Sequence, residues 1–143
     1  MQNKIAIQTD DFDVSAEIDA LAGGRGDIGA VVTFSGHVRG DDGLVALTLE
    51  HYPGMTEKQL EKIVAEAMRQ WPVIDALVVH RVGDILPNEP IVLVAVWTSH
   101  RGDAFDASRY IMEALKSRAP FWKKELLGSQ SERWLVKNTD GYI

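Results

Sequence analysis

The stretch Ile91-Val92-Leu93-Val94-Ala95-Val96-Trp97-Thr98-Ser99 is the segment that decides the fold. It is apolar from Ile91 to Trp97, and its β-branched residues favour a strand. A strand that is apolar at nearly every position is expected to be covered on both faces. The run is much shorter than the roughly 20 apolar residues that a membrane-spanning helix needs. We therefore expect a central strand of a globular domain.

Further strands are predicted around this segment from short runs of β-branched and alternating residues. The turn Gly40-Asp41-Asp42-Gly43 separates the predicted strands Ile28–Val38 and Leu44–His51, so these two strands are expected to pair as a hairpin. A short helix is expected over Val14–Leu21. The other predicted strands are Lys4–Gln8, Ile28–Val38, Leu44–His51, Ile74–Val82 and Arg133–Lys137.

The first long helix is predicted from its start and its apolar face. Thr56-Glu57-Lys58-Gln59 matches a capping box, in which the threonine and glutamine side chains bond the first free N–H groups. Pro72 should end the helix. Apolar residues recur on one face at helical spacing, and all of them are expected in the core: Leu60, Ile63, Val64, Ala67 and Trp71.

The second long helix is expected over Ala104–Arg118, with Asp103 as its N-cap. It should end near Ala119, because the residue before Pro120 avoids helical backbone. Together these elements predict an α+β fold in a single domain over residues 1–143, with a mainly antiparallel sheet and two long helices packed on it.

Composition limits the classes of function. The chain has 143 residues, of which 45% are hydrophobic and 25% charged, as in ordinary globular proteins. Its net charge of −6 argues against a nucleic-acid binder with a broad basic face. It has no cysteine, which excludes disulfides, thiolate metal ligands and a cysteine nucleophile, and we expect no metal and no cofactor. The start of the sequence lacks a signal-peptide segment, so a cytoplasmic protein without membrane contact is expected.

Positive charge is concentrated late in the chain. From His100 onward there are eight Lys/Arg against six Asp/Glu, whereas residues 1–30 hold two against six. This pattern favours a local pocket for a small anion or for the carboxylate of a partner.

The segment Leu115–Glu125 holds the strongest candidate site. Because Pro120 breaks the helix, Lys116 and Lys123 can lie on two elements that converge. The adjacent aromatic residues Phe121 and Trp122 would form apolar walls, and burial with mutual repulsion would lower a lysine pKa. The alternative is a helix end whose aromatic residues fill the core while the lysines lie in water.

Two further groups are candidates for anion binding. His100 and Arg101 lie between a buried strand and a helix start, where free N–H groups attract anions; alternatively, Arg101 pairs with a nearby aspartate in solvent. In Gly36-His37-Val38-Arg39-Gly40, a buried Val38 would put His37 and Arg39 together on the other face. The alternative there is an edge strand with a solvated arginine.

Taken together, five segments in this order resemble the large, catalytic subunit of molybdopterin synthase. Within these segments, His51 is interpreted as structural, and the pair His80-Arg81 as structural or as interface residues. The segments that carry the resemblance are residues 29–39 (GAVVTFSGHVR), 49–55 (LEHYPGM), 80–83 (HRVG), 99–105 (SHRGDAF) and 116–125 (KSRAPFWKKE).

The resemblance implies an α/β hammerhead fold and a sulfurtransferase. That family converts cyclic pyranopterin monophosphate to molybdopterin by inserting two dithiolene sulfurs. The sulfur arrives as a thiocarboxylate on the C-terminal Gly-Gly of a small ubiquitin-like subunit. The large subunit forms a homodimer within a heterotetramer, in which one small subunit docks at each end.

The resemblance also implies site residues. Lys116 matches the family's essential lysine, and we interpret it as the general acid/base. Lys123 matches the family's second active-site lysine, and we interpret it as the cation that holds the thiocarboxylate or the developing oxyanion. Arg101 matches a pocket that the other subunit of the dimer completes. The implied substrate-binding set is His37, Val38, Arg39, His100, Arg101, Lys116, Lys123, Lys124 and Glu125.

Two other functions stay open at this point. A non-catalytic module that binds the C-terminal tail of a ubiquitin-like protein would use the same groove and cations. A lysine-dependent enzyme acting on a small phosphorylated molecule, such as a lyase, would not need a thiocarboxylated partner.

Overall fold

The computed structural model describes residues 3–21, 23–41, 43–128 and 132–134. Three helices and eight strands alternate along this part of the chain. Their bounds, in chain order, are β1 Lys4–Gln8, α1 Val14–Asp19, β2 Ala30–His37, β3 Leu44–His51, α2 Met55–Gln70, β4 Val73–Arg81, β5 Gly83–Ile85, β6 Pro90–Thr98, α3 Arg101–Arg118, β7 Phe121–Leu127 and β8 Glu132–Trp134.

The strands form two four-stranded sheets. The first has the order β1-β4-β6-β2, in which β1 and β4 are parallel and the other neighbours antiparallel. The second has the order β5-β3-β7-β8 and is antiparallel throughout. The predicted α+β class with mainly antiparallel strands and two long helices is confirmed, although the strands divide between two sheets. The predicted strand Arg133–Lys137 overlaps β8, and its last residues lie outside the described residues.

The central strand β6 is buried on both faces, as its sequence predicts. Val92, Val94 and Val96 pack against α2 and α3 on one face. Leu93, Ala95 and Trp97 pack on the other face against α1 and the segment before β2. The long helices therefore cover only one side of the first sheet.

The predicted hairpin between β2 and β3 is wrong. The two strands belong to different sheets: β2 pairs with β6, and β3 pairs with β5 and β7. The register of β2 shifts at Gly36/His37, where a Cβ on Gly36 would lie 2.7 Å from Val92 Cγ1. Val38 then turns into the core of the second sheet beside Leu47 and Leu49, which separates the two strands.

The start of α2 differs from the predicted capping box. Gly54, with φ of 87°, is the N-cap, and the Glu57 carboxylate accepts a hydrogen bond from the Gly54 N–H at 3.0 Å. Thr56 is already inside the helix and buried. Its hydroxyl accepts from the Tyr52 N–H at 2.9 Å and donates to the Pro120 carbonyl at 3.2 Å. Thr56 thus ties α2 to the chain between α3 and β7.

Trp71 is not in the core but at its edge. It is the C-cap of α2, has extended backbone, is half-buried and packs against the Tyr110 ring with 5.5 Å between centroids. The extended backbone is expected for a residue before Pro72.

The helix α3 begins at Arg101, three residues before the predicted start at Ala104. His100 occupies the N-cap position, without a side-chain capping bond, and Asp103 lies in the first turn. The end of α3 is as predicted. The helix stops at Arg118, and Ala119 has extended backbone with φ −75° and ψ 133°. None of the helices in the described ranges is long and apolar enough to cross a membrane.

Burial of β6 generates a stability prediction. We expect Leu93→Ala to lower the free energy of unfolding by about 2–5 kcal/mol, because it leaves a cavity in a fully buried site. Val45→Ala on β3 should change it by less than about 0.5 kcal/mol, because Val45 is 47% exposed. Urea unfolding followed by circular dichroism measures both. Equal losses for the two variants would contradict the two-sided burial of β6.

Candidate active site

A cavity of about 850 Å³ opens between α3, the end of β2 and the face of β7 that points toward α3. We call it the lysine cavity. Its walls combine cations and apolar side chains with four carboxylates, those of Asp41, Asp106, Glu113 and Glu125. Phe34, Arg39, Met112, Lys116 and Lys123 also line it.

The two lysines of the cavity come from consecutive elements that the break at Pro120 turns toward each other. Lys116 lies in the last turn of α3, and Lys123 is the third residue of β7. Both are half-buried. The hydrogen bond from Thr56 to the Pro120 carbonyl fixes the reversal between them. The two side chains therefore share one cavity wall instead of diverging into water.

Burial and charge change the acidity of Lys123. Burial, and to a lesser extent the positive charge of Lys116, lower the pKa of Lys123 to about 8, while Glu125 opposes the change. An ordinary lysine has a pKa near 10.5. At pH 7 most Lys123 side chains consequently still carry the proton, and the charge is lost at a lower pH than for an ordinary lysine.

The residues after β2 form the cationic wall opposite the lysines. Val38 is buried, whereas His37 and Arg39 are exposed and line the cavity, as the alternation predicts. His37 Nδ1 lies 3.3 Å from the Asn88 carbonyl and Nε2 lies 2.9 Å from Ser35 Oγ. Since a carbonyl oxygen only accepts, Nδ1 carries the proton in this contact.

Three residues of the expected substrate-binding set lie elsewhere in the single chain. His100 and Arg101 are exposed at the start of α3 and do not line the cavity. The 15 residues from Arg101 to Lys116 correspond to about 22 Å of helix. Lys124 follows Lys123 on β7, so its side chain points to the other face of the second sheet, opposite Thr48. His37, Val38, Arg39, Lys116, Lys123 and Glu125 are brought together.

Sequence reasoning missed the helix face that extends the cavity. Phe105, Arg109, Met112 and Lys116 all line it, at spacings of four, three and four residues. That spacing places them on one face of α3. Counting back from Lys116 in steps of three or four residues would have identified them from the sequence.

A contact that sequence reasoning missed is that of His80, near the end of β4, which the sequence identified only as structural or as an interface residue. His80 is only 8% exposed, and its ring stacks on Phe121 with centroids 4.0 Å apart and planes at 14°. Burial, with smaller contributions from the charges of Lys123, Lys116 and His51, lowers the pKa of His80 to about 4, although its hydrogen bond to the Arg81 carbonyl opposes the change. The contact joins residues 41 positions apart, and no local pattern predicts it.

The chemistry of the lysine cavity suits an anionic ligand with a flat apolar part. Arg39 offers a fork for a phosphate or carboxylate, and the lysines offer point charges. Phe34 and Met112 provide apolar contact area. Among the residues that the structure describes, no group of three or more His, Asp or Glu side chains is placed to hold a metal ion.

Comparison with known proteins gives consistent matches. The family model described as "MoaE protein" matches residues 7–118. The molybdopterin synthase catalytic subunit of Ralstonia nicotianae is 55% identical over 134 residues, which cover 92% of this chain and 76% of the relative.

Solved structures agree with the sequence matches. The molybdopterin biosynthesis MoaE protein from Burkholderia ambifaria has a TM-score of 0.83 at 54% identity, covering 98% of this chain and 94% of that one. Molybdopterin synthase from Staphylococcus aureus has a TM-score of 0.81 at 34% identity, covering 90% and 94%. The chain belongs to the MoaE protein family, the family of molybdopterin synthase catalytic subunits.

Proposed function

We propose that this chain is the sulfur-transferring subunit that converts cyclic pyranopterin monophosphate to molybdopterin in the cytoplasm. The sulfur donor is the thiocarboxylate at the C-terminal Gly-Gly of a small ubiquitin-like subunit. The observation that carries the proposal is the shared cavity of Lys116 and Lys123, with Arg39 on its wall. It offers cations for two anionic reactants, the pterin phosphate and the thiocarboxylate.

The two lysines have separate roles. In each transfer, sulfur replaces an oxygen substituent on a side-chain carbon of the pterin, so a carbon–sulfur bond forms as a carbon–oxygen bond breaks and the departing oxygen takes up a proton. The acyl carbon–sulfur bond of the donor breaks as well, and water replaces sulfur at the acyl carbon to leave a carboxylate. Lys116 moves protons to and from the pterin as general acid/base. Lys123, as the ammonium ion, pairs with the thiocarboxylate and stabilises the oxyanion that develops on its carbonyl. Glu125, on the same face of β7, raises the pKa of Lys123 and so favours its charged form.

His100 and Arg101 serve the cavity of a second copy. In the described part of the chain, β2 pairs only with β6, so its other edge is open to a strand. Antiparallel pairing of two β2 edges would bring the Ala30 end of one copy beside the His37 end of the other. Ala30 lies opposite Thr98, two residues before His100. Exposed Val31 and Phe34 add apolar surface to that edge. The homodimer then carries one small subunit at each end.

Replacing Lys116 tests the catalytic role. We expect Lys116→Ala to abolish product formation while the chain stays folded and still binds the small subunit, because a half-buried lysine contributes little to stability. The assay mixes the protein with thiocarboxylated small subunit and cyclic pyranopterin, and detects dithiolene product by mass spectrometry. Lys58→Ala, on the exposed face of α2, is the matched control. Near-normal turnover of Lys116→Ala would refute the role, and a pure tail-binding module would give no product with any variant.

The lowered pKa of Lys123 predicts a pH dependence. If Lys123 acts as a cation, kcat/KM falls as pH rises through about 8, by about tenfold per pH unit above it, because the ammonium ion loses its proton. Lys123→Arg should move this limb to higher pH, since a guanidinium group stays charged. If kcat/KM of the wild-type protein instead rises through pH 8, the roles assigned to the two lysines are reversed.

A mixing experiment tests the contribution of the second copy. Arg101→Ala alone should weaken pterin binding more than binding of the small subunit. Combined in equal amounts and allowed to exchange, Arg101→Ala and Lys116→Ala chains should recover about a quarter of wild-type activity, because half of the dimers then hold one intact site. If Arg101 acted within its own chain, no mixed dimer would hold an intact site and no activity would return.

A further inference from the structure

The buried histidine beneath the lysine cavity has no part in the roles assigned above. His80 shares the α3-facing side of β4 with Val78 and lies opposite Val92, a residue of the cavity wall. It is thus placed under the cavity, at the junction of the two sheets. Burying a polar ring costs free energy unless its nitrogen atoms are hydrogen-bonded, so the ring of His80 must be held in place by specific contacts.

The ring of His80 is held by two contacts. Its Nδ1 lies 2.8 Å from the Arg81 carbonyl, which can only accept, so Nδ1 carries the proton and Nε2 is the unprotonated nitrogen. Its face lies on Phe121, 4.0 Å between centroids and nearly parallel. Hydrogen bond and stack together define one tautomer and one ring orientation.

Phe121 links this ring to the lysine. It is the first residue of β7, and Phe121, Lys123 and Glu125 share one face of that strand because side chains alternate. Phe121 also contacts the cores of both sheets. The position of Phe121 therefore sets where the side chain of Lys123 begins and how much water reaches it.

We propose that His80 is a positioning residue of the active site, whose neutral ring stacks on Phe121, holds the start of β7 and shields Lys123 from water. The inference rests on the proposed function for the role of Lys123. The charged and titratable groups around the pair are Lys116 on α3, Glu125 on β7 and His51 on β3, with Arg39 across the cavity. A ring that stays neutral adds no third positive charge to the two lysines. The low pKa of His80, about 4, keeps it neutral across the range in which Lys123 titrates.

Two substitutions separate the stack from the hydrogen bond. His80→Phe keeps an aromatic ring on Phe121 and removes the bond to the Arg81 carbonyl. His80→Val suits a strand but removes the ring, which opens space for water next to Lys123. The readout is the titration of Lys123, followed by NMR of protein with isotope-labelled lysine and assigned with Lys123→Arg. This measurement needs neither the small subunit nor the pterin.

The expected result is a midpoint near 8 for the wild type and for His80→Phe. For His80→Val we expect a rise of about one unit or more toward the ordinary lysine value, because hydration favours the charged form. The alkaline limb of kcat/KM should move by the same amount. An unchanged midpoint in His80→Val, or equal shifts in both variants, would overturn the proposal.

Two further measurements keep the outcome clear. Should His80→Val fail to fold by circular dichroism, Phe121→Leu removes the other half of the stack and is read in the same way. A midpoint that moves in His80→Val while the pH–rate profile stays fixed would leave the positioning of Lys123 intact and refute the catalytic role proposed for Lys123. Failure of the two proposals is thereby distinguishable.

Discussion

The reversal of the chain at Ala119–Pro120 is the constraint on which the site depends. Proline ends α3 and turns β7 back, and the Thr56 hydroxyl holds the Pro120 carbonyl from a different helix. Two ammonium groups are thereby kept on one cavity wall, although they repel each other. Such an arrangement persists only where the surrounding structure is rigid enough to hold it.

That rigidity comes from the first sheet. The strand β6 is buried on both faces, and α3 packs on one of them, so the helix end that carries Lys116 is fixed by the core and not by contacts of the lysine itself. Lys123 lies on β7 of the second sheet, which has a small core of its own. Phe121 contacts the cores of both sheets. The cavity is therefore a product of how two sheets meet, with the catalytic candidates at their junction.

The elements that local physics determines could be predicted from sequence. Continuous apolar character identified β6. Pro120 identified the end of α3 and the placement of Lys116 and Lys123 on two separate elements. Predictions that needed a choice between partners were wrong: the turn at residues 40–43 does not form a hairpin, because the bulge at Gly36/His37 sends Val38 into the other sheet. The capping box at Thr56 was wrong because Gly54, with its positive φ, already starts the helix. His80 was interpreted as structural or as an interface residue, and its stack on Phe121 could not be predicted because the two residues are distant in sequence.

The desolvated amine of Lys123 has a thermodynamic consequence for the whole chain. Between pH 8 and 10.5 the native protein holds fewer protons at this position than the unfolded chain does, so unfolding takes up a proton there. The contribution of this one residue makes the native state more resistant to denaturation as the solution becomes more alkaline through that window. At neutral pH the same amine destabilises the native state, because the charged form is partly desolvated there.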